Sequence, residues 1–195
     1  GVGGYVGTPP TLQHFVDAGV SGATNNNRLA LVDALATLSV TGNDVNTTTK
    51  VQALVDAYVA ILRLADGFGN TASNATPGAA QYTRIGVTGL DAAQAATANK
   101  VALLGDVIDR KQLADVDTVK EIQTLADDVS TLLATAAGGN SLTLQQLTRL
   151  GITNVSAGTL ADVVAAIQAT ADDGSGVNSY ALLTGVITDP RDYLA

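Results

Sequence analysis

Apolar residues fall at helical spacing along most of the chain. Val51, Leu54, Val55, Tyr58, Ile61, Leu62 and Ala65 follow the i, i+3, i+4, i+7 order of a helix with one apolar face. Ile122, Leu125, Ala126, Val129, Leu132, Leu133 and Ala136 write the same stripe 71 residues later (122 − 51 = 71). Leu160, Val163, Val164 and Ile167 form a shorter one. Three short segments, "TLQHFVDAG", "AAQYTRIG" and "LQQLTRLG", end at Gly19, Gly86 and Gly151. Glycine just past a helix adopts the left-handed turn that closes it, so each reads as a short helix with its stop signal. Thr8-Pro9 and Thr76-Pro77 read as N-caps followed by Pro in the first helical position. A second helix is expected after Asn25, Asp91 and Ser156, and a third after Asp44/Asn46 and Asp115/Asp117.

With Gly19, Gly86 and Gly151 in register, the shifts are 67 (86 − 19) and 132 (151 − 19). Leu12 then falls on Ala79 and Leu144, Phe15 on Tyr82 and Leu147, and Val20 on Val87 and Ile152. Apolar character is kept while polar letters drift. The second half of the middle segment fits a shift of 71, because that segment carries about four extra residues. Gly22 and Gly89 share a column with Asn154, residue types that tolerate a left-handed turn.

The predicted fold is all-α, built from about three tandem three-helix units, the last truncated near "DPRDYLA". The boundaries read as a Gly-rich N-terminal arm at 1–7, unit one at 8–66, a linker at 67–75, unit two at 76–139 and unit three at 140–195. A core of Ala, Val, Leu and Ile in so small a unit is marginal alone. Stacking on neighbours or on other chains would add burial.

Composition narrows the function classes. The net charge is −8, against nucleic-acid binding. There is no Cys, Met or Trp, which removes disulfides, thiolate catalysis and Cys-based zinc sites. Charged residues are 14 % of the chain, and Glu121 is the only Glu. Ordinary soluble domains carry about 25 % charge. Polarity here comes from Thr, Ser, Asn, Gln and Asp, a bias in keeping with an extracellular or cell-surface home. No apolar run reaches the roughly 18–20 residues of a membrane span. The start at Gly1 shows no signal-peptide pattern, so a removed signal or a piece of a longer chain is expected.

Candidate chemistry is sparse. His14 is the single histidine, and its repeat counterparts are Gln81 and Gln146, so an ordinary polar helix position is expected. Asp44/Asn46 and Asp115/Asp117 are expected to cap the third helices, where carboxylates meet free N–H groups and the positive dipole end. Calcium is the alternative role for these pairs and for "DDGSGVN" at Asp172 to Asn178, although no complete calcium-loop pattern is present. Adjacent Asp127 and Asp128 cannot share one helix side, so a solvated face is expected for both. Sequons occur at Asn46, Asn74 and Asn154, at a rate that chance supplies in so Asn- and Thr-rich a chain. No catalytic, cofactor-binding or metal-ligating residue is therefore assigned, and no cofactor is expected unless calcium binds.

The phrase from Gly86-Val87-Thr88-Gly89-Leu90 through Asn99 to Asp117-Thr118 and Glu121-Ile122-Gln123-Thr124-Leu125-Ala126-Asp127 resembles a known kind of segment. It resembles the tandem helical repeats of very large secreted bacterial surface proteins, adhesin-like and matrix-like. The resemblance implies extracellular work in adhesion, spacing or assembly, and no catalytic residues. The expected function is a non-enzymatic structural protein: a self-assembling filament or surface-layer subunit, or a helical segment of a giant adhesin. Its partners would be further copies of itself, joined through apolar helix faces. The alternative is a three-helix binding module for a host protein or glycan.

Overall fold

A computed structural model describes residues 8–69, 75–91, 96–139 and 142–188. These residues are all-helical, with no strand among them. The first helices are α1 (Leu12–Asp17), α2 (Arg28–Ala36) and α3 (Thr48–Leu64). Next come α4 (Ala79–Arg84), α5 (Ala96–Asp109) and α6 (Val119–Ala136). The last are α7 (Leu144–Arg149), α8 (Leu160–Gln168) and α9 (Tyr180–Thr188). Short 3-10 turns at Gly42–Asp44, Leu113–Asp115 and Ser175–Val177 precede α3, α6 and α9. A short helix, a longer helix, a 3-10 turn and a third helix thus follow one another three times. We refer to these sets as the first, second and third triplet. The Gly-rich arm at 1–7, most of the expected linker and the "DPRDYLA" tail lie outside the described residues.

The short helices stop as their glycines require. Gly19, Gly86 and Gly151 have φ of +72°, +100° and +90°. In each case the glycine N–H reaches back to the carbonyl three residues before it (Val16, Thr83, Thr148) at 2.9, 3.0 and 3.0 Å. The next N–H (Val20, Val87, Ile152) reaches Phe15, Tyr82 or Leu147 at 2.8, 3.0 and 2.9 Å. These paired bonds satisfy the orphan carbonyls of the last turn. Both residues of each pair are buried, so one joint both closes a helix and contributes to the core.

The starts differ from expectation. Thr11 and Thr143 cap α1 and α7, and Gly78 holds that position before α4. Thr8-Pro9 and Thr76-Pro77 lie upstream of these caps; Pro9 precedes Pro10, and a residue before Pro is pushed out of helical backbone. α2 opens at Arg28, where Asn27 accepts from the Thr24 amide at 2.7 Å, and α8 opens at Leu160 after Thr159 has bonded the Ser156 amide. The residues between Asp91 and α5 lie outside the described set. The left-handed turn occurs at Gly22 and Gly89 but not at Asn154, because no described non-glycine residue has positive φ.

The helices α3 and α6 are capped by threonine and not by the expected acids. The Thr47 hydroxyl accepts from the Lys50 amide at 3.3 Å. Thr118 and Glu121 bond reciprocally at the start of α6, with distances of 2.8 to 3.3 Å. Asp44 and Asp115 instead close their own 3-10 turns, accepting from the Thr41 and Gln112 amides at 2.8 and 3.0 Å. A short carboxylate three residues into a 3-10 turn reaches that turn's first amide before it reaches the next helix.

Packing divides the chain into two compact units. One is Gly1–Asp91 with Ile108–Gln123, and the other is Ala92–Val107 with Thr124–Ala195. The first is centred on the α3 stripe, where Leu54, Val55, Tyr58 and Ile61 are buried with Leu31, Tyr82, Ile85 and Val87. The second is centred on the α6 stripe from Leu125 to Ala136, with Leu103, Leu104, Leu147, Val163, Ile167 and Leu183. Burial of the α3 and α6 apolar faces follows the stripes read from the sequence. The helical surface is small-residue and aliphatic, so its stabilisation scales with buried apolar area at about 25 cal/mol per Å².

Candidate functional site

The polar side chains that form defined geometry gather at the joints between helices. In the first triplet Gln52 on α3 grips the backbone of Ser21: the Ser21 amide donates to Oε1 at 2.8 Å, and Nε2 donates to the Ser21 carbonyl at 3.1 Å. In the second triplet Gln123 on α6 grips Thr88 in the same way, at 2.8 and 3.4 Å. In the third, the Tyr180 hydroxyl donates to the Gly151 carbonyl at 2.9 Å. Each tie fixes the turn after a short helix to the third helix of its triplet.

His14 belongs to this set. Its Nδ1 accepts from the Thr11 amide at 3.2 Å. Gln81 and Gln146 accept from Gly78 and Thr143 at 2.9 and 3.0 Å, through their side-chain oxygens. All three side chains complete the cap of a six-residue helix. That explains why His and Gln interchange: each offers one acceptor at the same reach.

Two further ties reach across the sequence. Asp33 on α2 accepts from the Val119 amide, the first of α6, at 2.7 Å. Asp106 on α5 accepts from the Tyr180 amide, the first of α9, at 2.9 Å. Both place a carboxylate on a helix N-terminus, where amides and dipole favour it. Beside the first tie, the buried Tyr58 hydroxyl donates to the Val116 carbonyl at 3.3 Å. Burial pushes that hydroxyl above its ordinary value, and the charges of Asp33, Asp117 and Glu121 add to it. Beside the second, Asn99 donates to the Asp173 carbonyl at 2.8 Å and accepts from Asn178 at 2.9 Å. The sequence reading missed these carboxylates. A signal was present: an Asp interrupts each otherwise apolar run, "LVDAL" and "LGDVI".

Asp128 overturns the expectation of a solvated face. It is 3 % exposed, whereas Asp127 is exposed. Its two oxygens take a forked pair of bonds from Arg149 at 2.6 and 2.8 Å, fastening α6 to α7. Adjacent residues on a helix face different sides, so one of the pair is buried while the other stays solvated. Asp128 stands three residues from Leu125 and four from Leu132, so it lies on the buried stripe.

Within "DDGSGVN", Asp173 accepts from the Ser175 amide at 2.9 Å. Hydrogen bonding to Ser175, side chain first and backbone next, holds the Asp173 carboxyl below its ordinary value. Thr41 does the same for Asp44, through hydroxyl and then amide. Both carboxylates therefore serve local turns. No three His, Asp or Glu side chains converge among the described residues. Asn46 and Asn154 are exposed, and Asn46 accepts from the Lys50 ammonium at 3.1 Å. Asn74 lies outside the described residues. The Tyr82 hydroxyl is buried without a hydrogen-bond partner, at the position that Phe15 and Leu147 hold in the other triplets. Among the described residues no helix is long and apolar enough to cross a membrane.

The side-chain geometry described here is that of joints and ties between helices. The chain matches no family model, no curated protein and no solved structure.

Proposed function

We propose that the protein is a non-enzymatic structural protein of the cell surface or extracellular space. It is a self-assembling subunit, or a helical segment of a giant adhesin-like chain, made of tandem three-helix repeats. One observation carries the reading: successive triplets repeat the same mechanical work, in one case with a different letter. His14, Gln81 and Gln146 complete caps, and Gln52 and Gln123 grip turns. Asp33 and Asp106 tie one triplet to the next. A joint that works equally with His or Gln asks its side chain only for an acceptor at the right reach, which favours a role in shape over one in chemistry.

Negative-stain electron microscopy of the purified protein at high concentration tests the reading. Regular polymers or sheets are expected. Isolated particles of single-chain size under all conditions would sink it.

A further inference from the structure

Asp–Gly is a dipeptide at which a backbone rearranges readily without an enzyme, because glycine has no Cβ to keep its nitrogen from the preceding carboxyl. The glycine nitrogen forms a bond to the aspartate Cγ. The carboxyl hydroxyl leaves with the proton of that nitrogen as water, and a cyclic imide, succinimide, remains. Water then reopens the ring. Attack at the side-chain carbonyl restores aspartate. Attack at the main-chain carbonyl gives isoaspartate, whose backbone runs through the side chain and is longer by a methylene. Water is the only co-reactant, and nothing is oxidised or reduced.

The chain has two such steps, Asp66–Gly67 and Asp173–Gly174, and no Asn–Gly step. The fold demands both glycines. Their φ values are +84° and +78°. A Cβ on Gly67 would overlap the Gln112 side chain, and one on Gly174 would stand 2.7 Å from Leu133 Cδ2. Exchanging either glycine therefore brings strain.

Both turns engage the reacting groups elsewhere. The Asp66 carboxylate accepts from the Phe68 amide at 3.0 Å, and the Gly67 amide donates to the Asp109 carbonyl at 3.1 Å. The Asp173 carboxylate accepts from the Ser175 amide at 2.9 Å, and the Gly174 amide donates to the Ala171 carbonyl at 2.9 Å. Asn99 also donates to the Asp173 carbonyl at 2.8 Å, so the peptide group between Asp173 and Gly174 is held at its oxygen and at its nitrogen. An attacking nitrogen must lose its proton and leave the amide plane, which these bonds resist. Water also leaves only from a protonated carboxyl, and bonding to Ser175 holds the Asp173 carboxyl below its ordinary value. Burial is not the guard, because Asp66 is half-buried and Asp173 is exposed.

We propose that Asp66–Gly67 and Asp173–Gly174 are latent sites of spontaneous modification, closed while their turns are formed and open when the turns come apart. Isoaspartate at either site keeps the turn from re-forming, since the added methylene displaces the glycine from the carbonyl that holds it. A local opening is thereby made permanent. At Asp173 the damage reaches the loop that leads into α9, where Asn99 also holds Asn178.

Mass-spectrometric peptide mapping of the full chain, with fragmentation that separates aspartate from isoaspartate, tests the proposal. One sample is aged folded at neutral pH, and another at the same pH and temperature in urea above the unfolding transition. Isoaspartate at both steps should form at least about tenfold more slowly in the folded sample, the factor given by an opening free energy of about 1.4 kcal/mol. Equal rates in the two samples overturn the proposal. Asp173→Asn separates the turn from the charge: it keeps the Oδ1 acceptor, removes the carboxylate, and reports by the mass change of deamidation. With folding confirmed by circular dichroism, the variant should keep about tenfold protection over its own urea sample. Loss of that protection means that charge alone guards the step, and overturns the gating by the turn. If Asp173→Asn does not fold, Asp66→Asn decides in the same way, since its turn lies in the other compact unit.

Discussion

Substituting alanine at the joint glycines should give unequal costs, although the three positions carry the same letter. Positive φ strains any residue with a Cβ by about 1–2 kcal/mol. At Gly19 a Cβ would meet only Thr48 Cγ2, at 3.8 Å, which is ordinary contact. Gly19→Ala should therefore cost the strain alone, about 1–2 kcal/mol. At Gly86 a Cβ would stand 2.7 Å from Thr37 Cγ2 and 3.1 Å from Ser39 Oγ. Ser39 also donates to the Gly86 carbonyl at 2.6 Å, so the neighbour cannot swing away without losing that bond. Overpacking adds about 1–3 kcal/mol, which brings Gly86→Ala to about 2–5 kcal/mol. Both glycines belong to the same compact unit, so the comparison shares one unfolding reaction. Urea denaturation followed by far-ultraviolet circular dichroism measures both. Melting should fall about 2–4 °C per kcal/mol in a chain of this size. Equal losses, or a larger loss at Gly19, would refute the account of the joint.

Four other outcomes follow from the geometry. Tyr82→Phe should raise the urea midpoint, by about 1 kcal/mol, because it removes a buried hydroxyl with no partner, while Tyr58→Phe should lower it by a similar amount. His14→Gln should leave stability within about 0.5 kcal/mol of the parent, and His14→Leu should lower it, as read by thermal melting. Arg149→Ala strands a buried carboxylate; with Arg149 about one-third exposed, a loss of about 1–3 kcal/mol is expected, and a double-mutant cycle with Asp128→Ala should show strong coupling. Asp44 and Asp173 have lowered folded-state pKa values, so their contribution is present above the ordinary carboxylate value of 3.8 and is lost as pH falls below it. Melting curves of Asp44→Asn and the parent should therefore converge on acidification.

Local signals carried most of what was legible in the sequence. The α3 and α6 stripes and the stop glycines Gly19, Gly86 and Gly151 depend on neighbours a turn away, and they appear where periodicity put them. Caps were less legible because several donors and acceptors compete within a few residues. Asp44 met the Thr41 amide first and left α3 to Thr47. Asn154 tolerates a left-handed turn, but tolerance does not oblige it, and it turns without one. Least legible were ties between distant residues. Asp33 with Val119, Asp106 with Tyr180 and Asp128 with Arg149 need the fold before their partners are near. Each nonetheless left a trace, as a carboxylate written into an apolar run. An Asp on a buried stripe is a polar group that must find a partner, and that rule would have marked all three.

The central claim is that this chain builds structure by associating with itself. Sedimentation velocity of the purified, full chain over a broad concentration range tests it most directly. The account predicts a weight-average sedimentation coefficient that climbs with concentration, with species larger than one chain becoming dominant. A single species of one-chain mass at every concentration would contradict it.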